Sequence, residues 1–261
     1  MAEVRTDDFL IDVARGNVNG ASIIHKFGAN ALIGTTIKPV TTAGTYQTPI
    51  TSESLEILSD NALDAAAGSG ARSVEVTGID SNWDILTETV TLNGVTPVAL
   101  SNTFRRVFRM RVKTSGTYAT SIAGSHEGII TLRGAGAGAT WALIGFNEGF
   151  PLGSSEISVY TIPRGYEGII LHRELDVEAA KLCNILFFIR AEADLVAGGD
   201  YKPMVVTALR RDVTGLHLDG SPSGSSELMV GPCDVGFMAV TTSGTAKVNC
   251  AFKLLLLKQK L

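Results

Sequence analysis

Apolar and polar side chains alternate with a period of two residues along most of the chain. In one such run Val74 and Val76 flank the polar Glu75, and residues 85–92 repeat the pattern. A period of two places successive side chains on opposite faces of a β-strand. The second run ends at Asn93-Gly94, a dipeptide typical of tight turns, which predicts a hairpin at this position.

Strand-like segments recur to the end of the chain, separated by turns that contain glycine or proline. Roughly ten to twelve strands at near-regular spacing are typical of sandwiches and barrels. No segment suits the crossover helices that a parallel sheet needs. We therefore predict an all-β fold, an antiparallel, jelly-roll-like β-sandwich with an extended N-terminal arm. Later segments of this kind are 128–133, 141–146, 156–162, 167–175, 181–192, 202–211, 228–231, 235–241 and 246–258.

The first part of the chain lacks a sustained period. Residues 52–59 alternate and predict a short strand, and residues 60–67 predict one or two helical turns. The apolar residues between Met1 and Pro49 are isolated, so they cannot bury enough surface among themselves. We predict that residues 1–70 form an extended arm that lies on other surfaces, and that residues 71–261 form the β-sandwich domain.

The last strand-like segment, 246–257, becomes apolar on both faces near its end. Leu256 belongs to the face that is predicted to fill the core. Leu255 and Leu257 belong to the other face, where exposed leucines on an edge strand would favour aggregation. We therefore predict that Leu255 and Leu257 are covered, either by a neighbouring subunit or by the chain's own arm.

Composition and charge limit the classes of partner. The chain has 28 glycines, 18% charged residues and a net charge of −4, so it has no overall positive charge for binding nucleic acid or an anionic membrane. No apolar run is long enough to span a bilayer. The first residues lack the basic-then-apolar order of a signal peptide. We expect a protein of a cytosol, with neither a membrane nor a specific nucleic acid as partner.

Cysteine and histidine follow no metal-binding or disulfide pattern. Cys183, Cys233 and Cys250 form no CxxC pair and lie in or beside apolar segments, which indicates buried free thiols. Each histidine is single, with no second ligand two or four residues away, so structural or surface roles are expected. The histidines are His25, His126, His172 and His217.

Two glycine-rich segments resemble catalytic or phosphate-binding loops only superficially. Residues 134–138 (GAGAG) follow a strand, but no helix follows that could face a bound phosphate. We interpret them as a hairpin loop. Ser221 and Ser223 lie in a Gly-Ser-Pro loop without the strand-to-helix turn of a nucleophile elbow.

Two carboxylate pairs also have a simpler interpretation. Asp80 with Asp84, and Glu192 with Asp194, are spaced like turn residues that solvent surrounds. A Ca²⁺ ion at the Asp80–Asp84 loop would need further oxygen ligands that the loop does not supply. We therefore predict no catalytic residue, no cofactor site and no metal site.

A basic cluster allows two interpretations. Interleaved aromatic and basic residues are compatible with a platform for single-stranded nucleic acid. Because the rest of the chain is acidic, we favour a surface that forms salt bridges with acidic loops of a neighbouring subunit. The cluster comprises Arg105, Arg106, Arg109, Arg111 and Lys113, with Phe104 and Phe108 between them.

Five sequence phrases together resemble a known group of proteins. They occur in the order Ile24–Gly28, Ala66–Arg72, Val76–Trp83, Glu88–Gly94 and Tyr160–Gly165. The set resembles small structural proteins of tailed bacteriophages and covers about residues 22–165. The resemblance implies a place in the virion and carries over no catalytic residue. It leaves capsid decoration, neck, tail and fibre attachment open.

We therefore expect a non-enzymatic virion structural protein, above all a capsid decoration (cement) or auxiliary head protein that stabilises the particle through contacts between subunits. A tail, neck or fibre-adaptor protein is the alternative. A surface carbohydrate-binding sandwich is a second one, disfavoured because Trp83 and Trp141 are dispersed. The expected partners are copies of itself, with a trimer as one option, and virion proteins such as the major capsid protein or tail proteins. Assembly is expected in the cytoplasm of the host bacterium.

Overall fold

The structure, a computed structural model, describes residues 8–116, 125–147, 149–197, 200–201, 203–219 and 228–260. These residues form one short helix and 21 strands, and the strand pairs are antiparallel. The predicted all-β class and antiparallel sandwich architecture are therefore confirmed. None of the helices within these ranges has the length and apolar character needed to cross a bilayer.

The elements of the first part of the chain are α1 (Phe9–Ala14), β1 (Ala21–Ile33), β2 (Lys38–Pro39), β3 (Glu53–Ser59), β4 (Ala71–Ile79), β5 (Ile85–Thr91), β6 (Val98–Phe104), β7 (Arg106–Ser115), β8 (Ile130–Gly134), β9 (Thr140–Ile144), β10 (Phe146–Asn147) and β11 (Phe150–Pro151). Those of the second part are β12 (Val159–Ile162), β13 (Tyr166–Val177), β14 (Cys183–Arg190), β15 (Val196–Ala197), β16 (Asp200–Tyr201), β17 (Val205–Val213), β18 (Gly215–Asp219), β19 (Met229–Val230), β20 (Cys233–Thr241) and β21 (Ala246–Lys258).

Sandwich 1 consists of a sheet in the order β6-β3-β8-β9 and a sheet in the order β5-β4-β7. Alternate residues of these strands point into one core, in which Ile57, Val76, Met110 and Leu132 are fully buried. The period of two that predicted the strands therefore also identifies the side chains that fill this core.

Sandwich 2 consists of a sheet in the order β1-β21-β13-β18 and a sheet in the order β12-β20-β14-β17. Its core contains three phenylalanines, Phe187, Phe237 and Phe252, whose ring centroids lie 4.9–6.1 Å apart. Such tilted and edge-to-face contacts add to the free energy gained from burying the rings.

The predicted boundary between an arm and a single sandwich does not match the structure. β1 pairs with β21 from Ala21 to Ile33, and β3 pairs with β6 and β8, so much of the segment 1–70 belongs to the two sandwiches. The reason is that β1 pairs with β21, from the other end of the chain. The strands of sandwich 1 therefore lie in the sequence between two groups of strands that belong to sandwich 2. The segment 71–261 accordingly contributes to two hydrophobic cores.

Two local predictions are wrong. Residues 60–67 form turns instead of a helix, because the amides of Asp60 and Ala66 donate outside the segment, to the backbone oxygens of Ile129 and Leu92. Asn93-Gly94 does not close a hairpin, since β5 pairs with β4 whereas β6 pairs with β3 in the other sheet. Gly94, with φ +59°, instead carries the chain from one sheet to the other.

The C-terminal strand β21 is an internal strand between β1 and β13. Leu256 faces the core of sandwich 2. Leu255 is also buried and is flanked in register by Ile23 of β1 and Ile169 of β13. Leu255 is thus buried within one chain, between a strand of the N-terminal segment and β13. Leu257 is half-buried beside Ala21.

Candidate functional site

The junction between the two sandwiches contains a buried ion pair. The guanidinium of Arg106 on β7 donates from Nε and Nη2 to Oδ1 and Oδ2 of Asp234 on β20, at 3.0 and 3.1 Å. The two side chains are 0% and 1% exposed. A bidentate pair of this kind is strong and geometrically specific, but only while both charges remain matched, because burial has removed their hydration.

Further polar groups complete this network. Thr161 Oγ1 donates to Asp234 Oδ1 at 2.7 Å, and Arg190 Nη1 lies 3.5 Å from Oδ2. Arg106 also donates from Nη1 to the backbone oxygens of Pro49 and Arg105. The carboxylate therefore serves groups from three segments of the chain, which fits a structural junction better than a reactive group.

Trp83 covers the junction on one side. Its ring lies 5.1 Å from the guanidinium carbon of Arg106 and 5.1 Å from that of Arg105, so it makes a cation–π contact with each. Trp83 has φ +69°, and its turn is held by Asp80, whose Oδ1 accepts from the amides of Asn82 and Asp84. In the Asp80–Asp84 loop the Asp80 carboxylate thus shapes a turn.

A cavity of about 350 Å³ lies beside the network, with Tyr46, Phe188, Asp234 and Met238 among its lining residues. The Tyr46 hydroxyl is 2.8 Å from Thr161 Oγ1. Burial raises the pKa of Tyr46 far above its usual range, with a further contribution from the negative charge of Asp234. Tyr46 therefore stays a neutral phenol and does not supply a base.

Lys26 makes a second buried contact between the sandwiches. Its Nζ donates to the backbone oxygen of Phe108 and lies 5.7 Å from the centroid of the Phe108 ring. Burial, with a smaller contribution from the positive charge of Arg109, lowers the pKa of Lys26 to about 7. At neutral pH this amine is therefore only partly protonated.

The stability of the protein should rise with pH through this lysine. In the unfolded chain Lys26 keeps its proton up to about pH 10.5, whereas the folded state releases it near pH 7. Between these values the unfolded state binds more protons, so the free energy of unfolding increases with pH, by about 2 kcal/mol from pH 7 to 9. In chemical denaturation at pH 7, Lys26→Met should have a higher free energy of unfolding than the wild type. This difference between the two proteins should be smaller at pH 9. Lys253→Met, at an exposed site, is the control, and an equal pH dependence in the wild type and Lys26→Met contradicts this assignment.

The basic cluster forms contacts mainly within its own chain. Arg111 Nε and Lys113 Nζ both lie 2.7 Å from the carboxylate of Glu75, which lowers the pKa of that carboxyl. Arg105 donates to the backbone oxygens of Ile50 and Ser81. The expectation that the whole cluster faces a neighbour's acidic loops is wrong for Arg106, which is buried. The ion pairs with Glu75 leave less free positive charge for a nucleic acid.

The Gly134–Gly138 loop binds a carboxylate of the same chain. The amides of Gly136 and Ala137 donate to Glu56 at 3.1 Å, and Arg133 Nε donates at 2.7 Å. These hydrogen bonds lower the pKa of Glu56, and the bond from the Ala137 amide makes the largest contribution. The loop does connect β8 and β9 as a hairpin, which confirms that interpretation, and its amides are already engaged.

The described histidines and cysteines form no metal-binding arrangement. His126 is buried, its Nδ1 is 2.7 Å from the backbone oxygen of Gly128, and its ring packs on Phe146. Burial lowers the pKa of His25. Within the described ranges no group of His, Cys, Asp and Glu side chains could hold a metal ion, and all three cysteines are buried free thiols. His172 is half-buried on β13.

The second carboxylate pair and the remaining candidate residues from the sequence lie in exposed turns or outside the described part of the chain. Asp194 accepts from Arg164 Nη2 at 2.7 Å in an exposed ion pair. Glu192 is exposed and has φ +50°, as in a turn. Ser221, Ser223 and the side chain of His217 lie outside the described part of the chain.

Sequence reasoning missed the carboxylate of Asp64, which is fully buried. It accepts from Ser59 Oγ and from the amides of Ala71, Glu127 and Gly128, at 2.6–2.9 Å. Four donors compensate the loss of hydration and fix the loops at one end of sandwich 1. Gly70 allows the backbone to approach this carboxylate, since a Cβ there would lie 2.1 Å from Asp64 Oδ1.

Comparisons with known proteins do not assign a family. No protein-family model matches the chain, and no curated protein is similar to it. Among solved structures, the infectious bursal disease virus Gt strain matches over 92% of this chain and 73% of that chain, at 10% identity and a TM-score of 0.18. The VP2 subviral particle of infectious bursal disease virus matches over 97% and 79%, at 11% identity and a TM-score of 0.17. Superpositions of this quality do not establish a shared fold.

Proposed function

We propose that the chain is a non-enzymatic virion structural protein that assembles with copies of itself and with other virion proteins. Within that class a capsid decoration (cement) or auxiliary head protein of a tailed bacteriophage comes first, assembled in the host cytoplasm. A tail, neck or fibre-adaptor protein is the alternative. The resemblance of residues 22–165 to small structural proteins of tailed phages supports the class and leaves the location in the particle open.

The observation that carries the proposal is the amount of apolar surface that one chain leaves uncovered. Large apolar side chains are exposed on α1 and β17, and further ones include Leu32, Val95 and Phe150 at 69, 57 and 61% exposure. Large apolar side chains that are exposed next to one another, as on α1 and β17, are typical of contact sites with other proteins. A subunit that is covered by neighbours in a particle can retain such surface without aggregating.

The hydrogen bonds and ion pairs of three carboxylates also support a structural role. Asp64, Asp234 and Glu56 are the carboxylates with the densest bonding described above, and each holds backbone amides or arginines of its own chain. Groups that act as general acids, bases or nucleophiles need access to a substrate. These carboxylates are engaged in maintaining the fold.

The carbohydrate-binding alternative is weakened by the two tryptophans. Sugar-binding sandwiches present exposed aromatic rings, but Trp83 and Trp141 are both buried, one at the junction and one in the core of sandwich 1. A glycan array measures whether the purified protein binds any carbohydrate and so tests this alternative.

The proposal is tested by measuring mass and location. Light scattering coupled to size exclusion should show oligomers of the purified chain whose mass rises with concentration. Labelling of particles and image reconstruction should then place the chain in the virion, in many copies on the shell for a head protein or in a single ring for a neck or tail protein. A chain that stays monomeric and is missing from particles contradicts the proposal.

A further inference from the structure

The sheet β1-β21-β13-β18 has an outer face that points away from the core of sandwich 2. On β21 the even-numbered residues from 248 to 256 belong to that core, so the odd-numbered residues point outward. The register with β1 and β13 arranges the outward side chains in rows that cross the three strands. The first row is His25, Lys253 and His172, the second is Phe27, Ala251 and Glu174, and the third is Ala29, Asn249 and Asp176.

These rows separate charges of opposite sign. The first row carries the exposed ammonium of Lys253 between two imidazoles, whereas the next two rows carry the carboxylates of Glu174 and Asp176 on β13. None of these three charged groups forms an ion pair with a residue that the structure describes. His25 does not neutralise Glu174 at pH 7, because burial lowers the pKa of its imidazole. The face therefore has a positive half and a negative half.

The negative half is concave. A depression of about 160 Å³ lies there, and its lining includes the small side chains of Ala29 and Ala251 and the carboxylates of Glu156, Glu174 and Asp176. A depression of this size admits one long side chain, and carboxylates around it favour a side chain with a positive charge.

The spacing of the rows makes the face complementary to itself. Successive rows lie two residues apart along each strand, about 7 Å at the rise of an antiparallel strand. A two-fold axis that runs across the strands near the second row reverses the order of the rows in a second copy. The first row of each copy then lies over the depression of the other. Phe27, which is 39% exposed in the second row, lies close to its own counterpart at the axis.

We infer that two copies of the chain associate face to face through β1, β21 and β13, with Lys253 of each copy in the acidic depression of the other. This inference rests on the proposed function and specifies one contact between copies. The contact forms a closed dimer, because a two-fold interface uses the same surface on both copies. Opposite charges that meet across an interface fix its register and orientation.

Charge reversal tests this contact. Lys253→Glu places a carboxylate opposite the carboxylates of the second copy, and Glu174→Lys places an ammonium opposite Lys253, so each variant repels its own copies. Sedimentation velocity should show self-association about tenfold weaker or more for each variant alone, because like charges that face each other in an interface are costly.

A mixture of the two variants should restore the dimer. In the mixed dimer every reversed charge meets a charge of opposite sign, at both copies of the contact. Native mass spectrometry, with one variant isotopically labelled, should therefore detect a dimer that contains one copy of each. Lys38→Glu is the matched control, since Lys38 is exposed on β2 in the other sheet of sandwich 2, and it should associate as the wild type does.

The outcomes separate the contact from the proposed function. Lys253→Gln and Glu174→Gln remove a charge without reversing it, and they should also weaken association if a reversal prevents folding. Wild-type association that these substitutions leave unchanged, or a mixture of folded variants without the mixed dimer, overturns the contact and leaves the proposed function standing. A wild-type chain that stays monomeric at every concentration overturns the contact as well, and its absence from particles in addition contradicts the proposed function.

Discussion

Replacing Asp234 with alanine is expected to lower the free energy of unfolding by about 3–5 kcal/mol, the usual cost of removing one partner of a buried ion pair. The guanidinium of Arg106 would remain fully buried, and its bidentate acceptor would be lost. Thr161 would lose its acceptor as well. Urea denaturation of Asp234→Ala should therefore show a much lower midpoint than the wild type.

The same substitution should also uncouple the two sandwiches. Arg106 lies on β7 of sandwich 1 and Asp234 on β20 of sandwich 2, so the pair joins the two units directly. Trp141 belongs to the core of sandwich 1 and Trp83 to that of sandwich 2. Fluorescence of variants that keep one tryptophan should give coincident transitions with Asp234 present and separate transitions in Asp234→Ala.

Three controls define the result. Asp194→Ala removes an exposed ion pair with Arg164 and should cost less than about 1 kcal/mol. Asp234→Asn keeps the shape and should lose less than alanine does. The double variant Arg106→Met/Asp234→Leu removes both charges of the pair and should recover part of the loss, because Arg106 is then no longer a buried charge without its partner. An Asp234→Ala midpoint equal to that of the wild type contradicts the role of the junction.

The position of Arg106 could have been predicted from the alternation along β7. Arg106 is in phase with Phe108 and Met110, which are buried, whereas Arg109 and Arg111 are exposed. Grouping Arg106 with the surface arginines ignored this phase. Its partner Asp234 could not be predicted, because it lies 128 residues away and nothing local in the sequence specifies that contact.

The N-terminal segment shows why strands were predicted better than their pairing. Its isolated apolar residues suggested that it had no core of its own, whereas β1 completes a core formed mostly by the C-terminal half. A Cβ at Gly28 would lie 2.3 Å from Val40 O and Ser158 N, so this glycine permits close packing that the sequence alone did not indicate. The period of a strand is local information, but the identity of its neighbour depends on the whole chain.

Leu256→Asp is expected to abolish cooperative folding of sandwich 2. Leu256 is 2% exposed and lies in the core on β21, which is paired on both sides. A carboxylate there would be buried without a partner, and the lost leucine side chain would leave a cavity. Together these costs amount to a large part of the free energy of unfolding of an ordinary domain, which is about 5–15 kcal/mol.

The outcome depends on which face of β21 is changed. Leu255→Asp alters the neighbouring residue on the outer face of the sheet, where Lys253 is exposed two positions away, so its carboxylate can reach water and a positive charge. We expect Leu255→Asp to fold with reduced stability and Leu256→Met to cost less than about 1.5 kcal/mol, since it nearly conserves volume. Circular dichroism and melting curves of the three variants decide the matter. Equal loss of folding in Leu255→Asp and Leu256→Asp would mean that the outer face of β21 is as well buried as the core, because no route to water would then remain for either carboxylate.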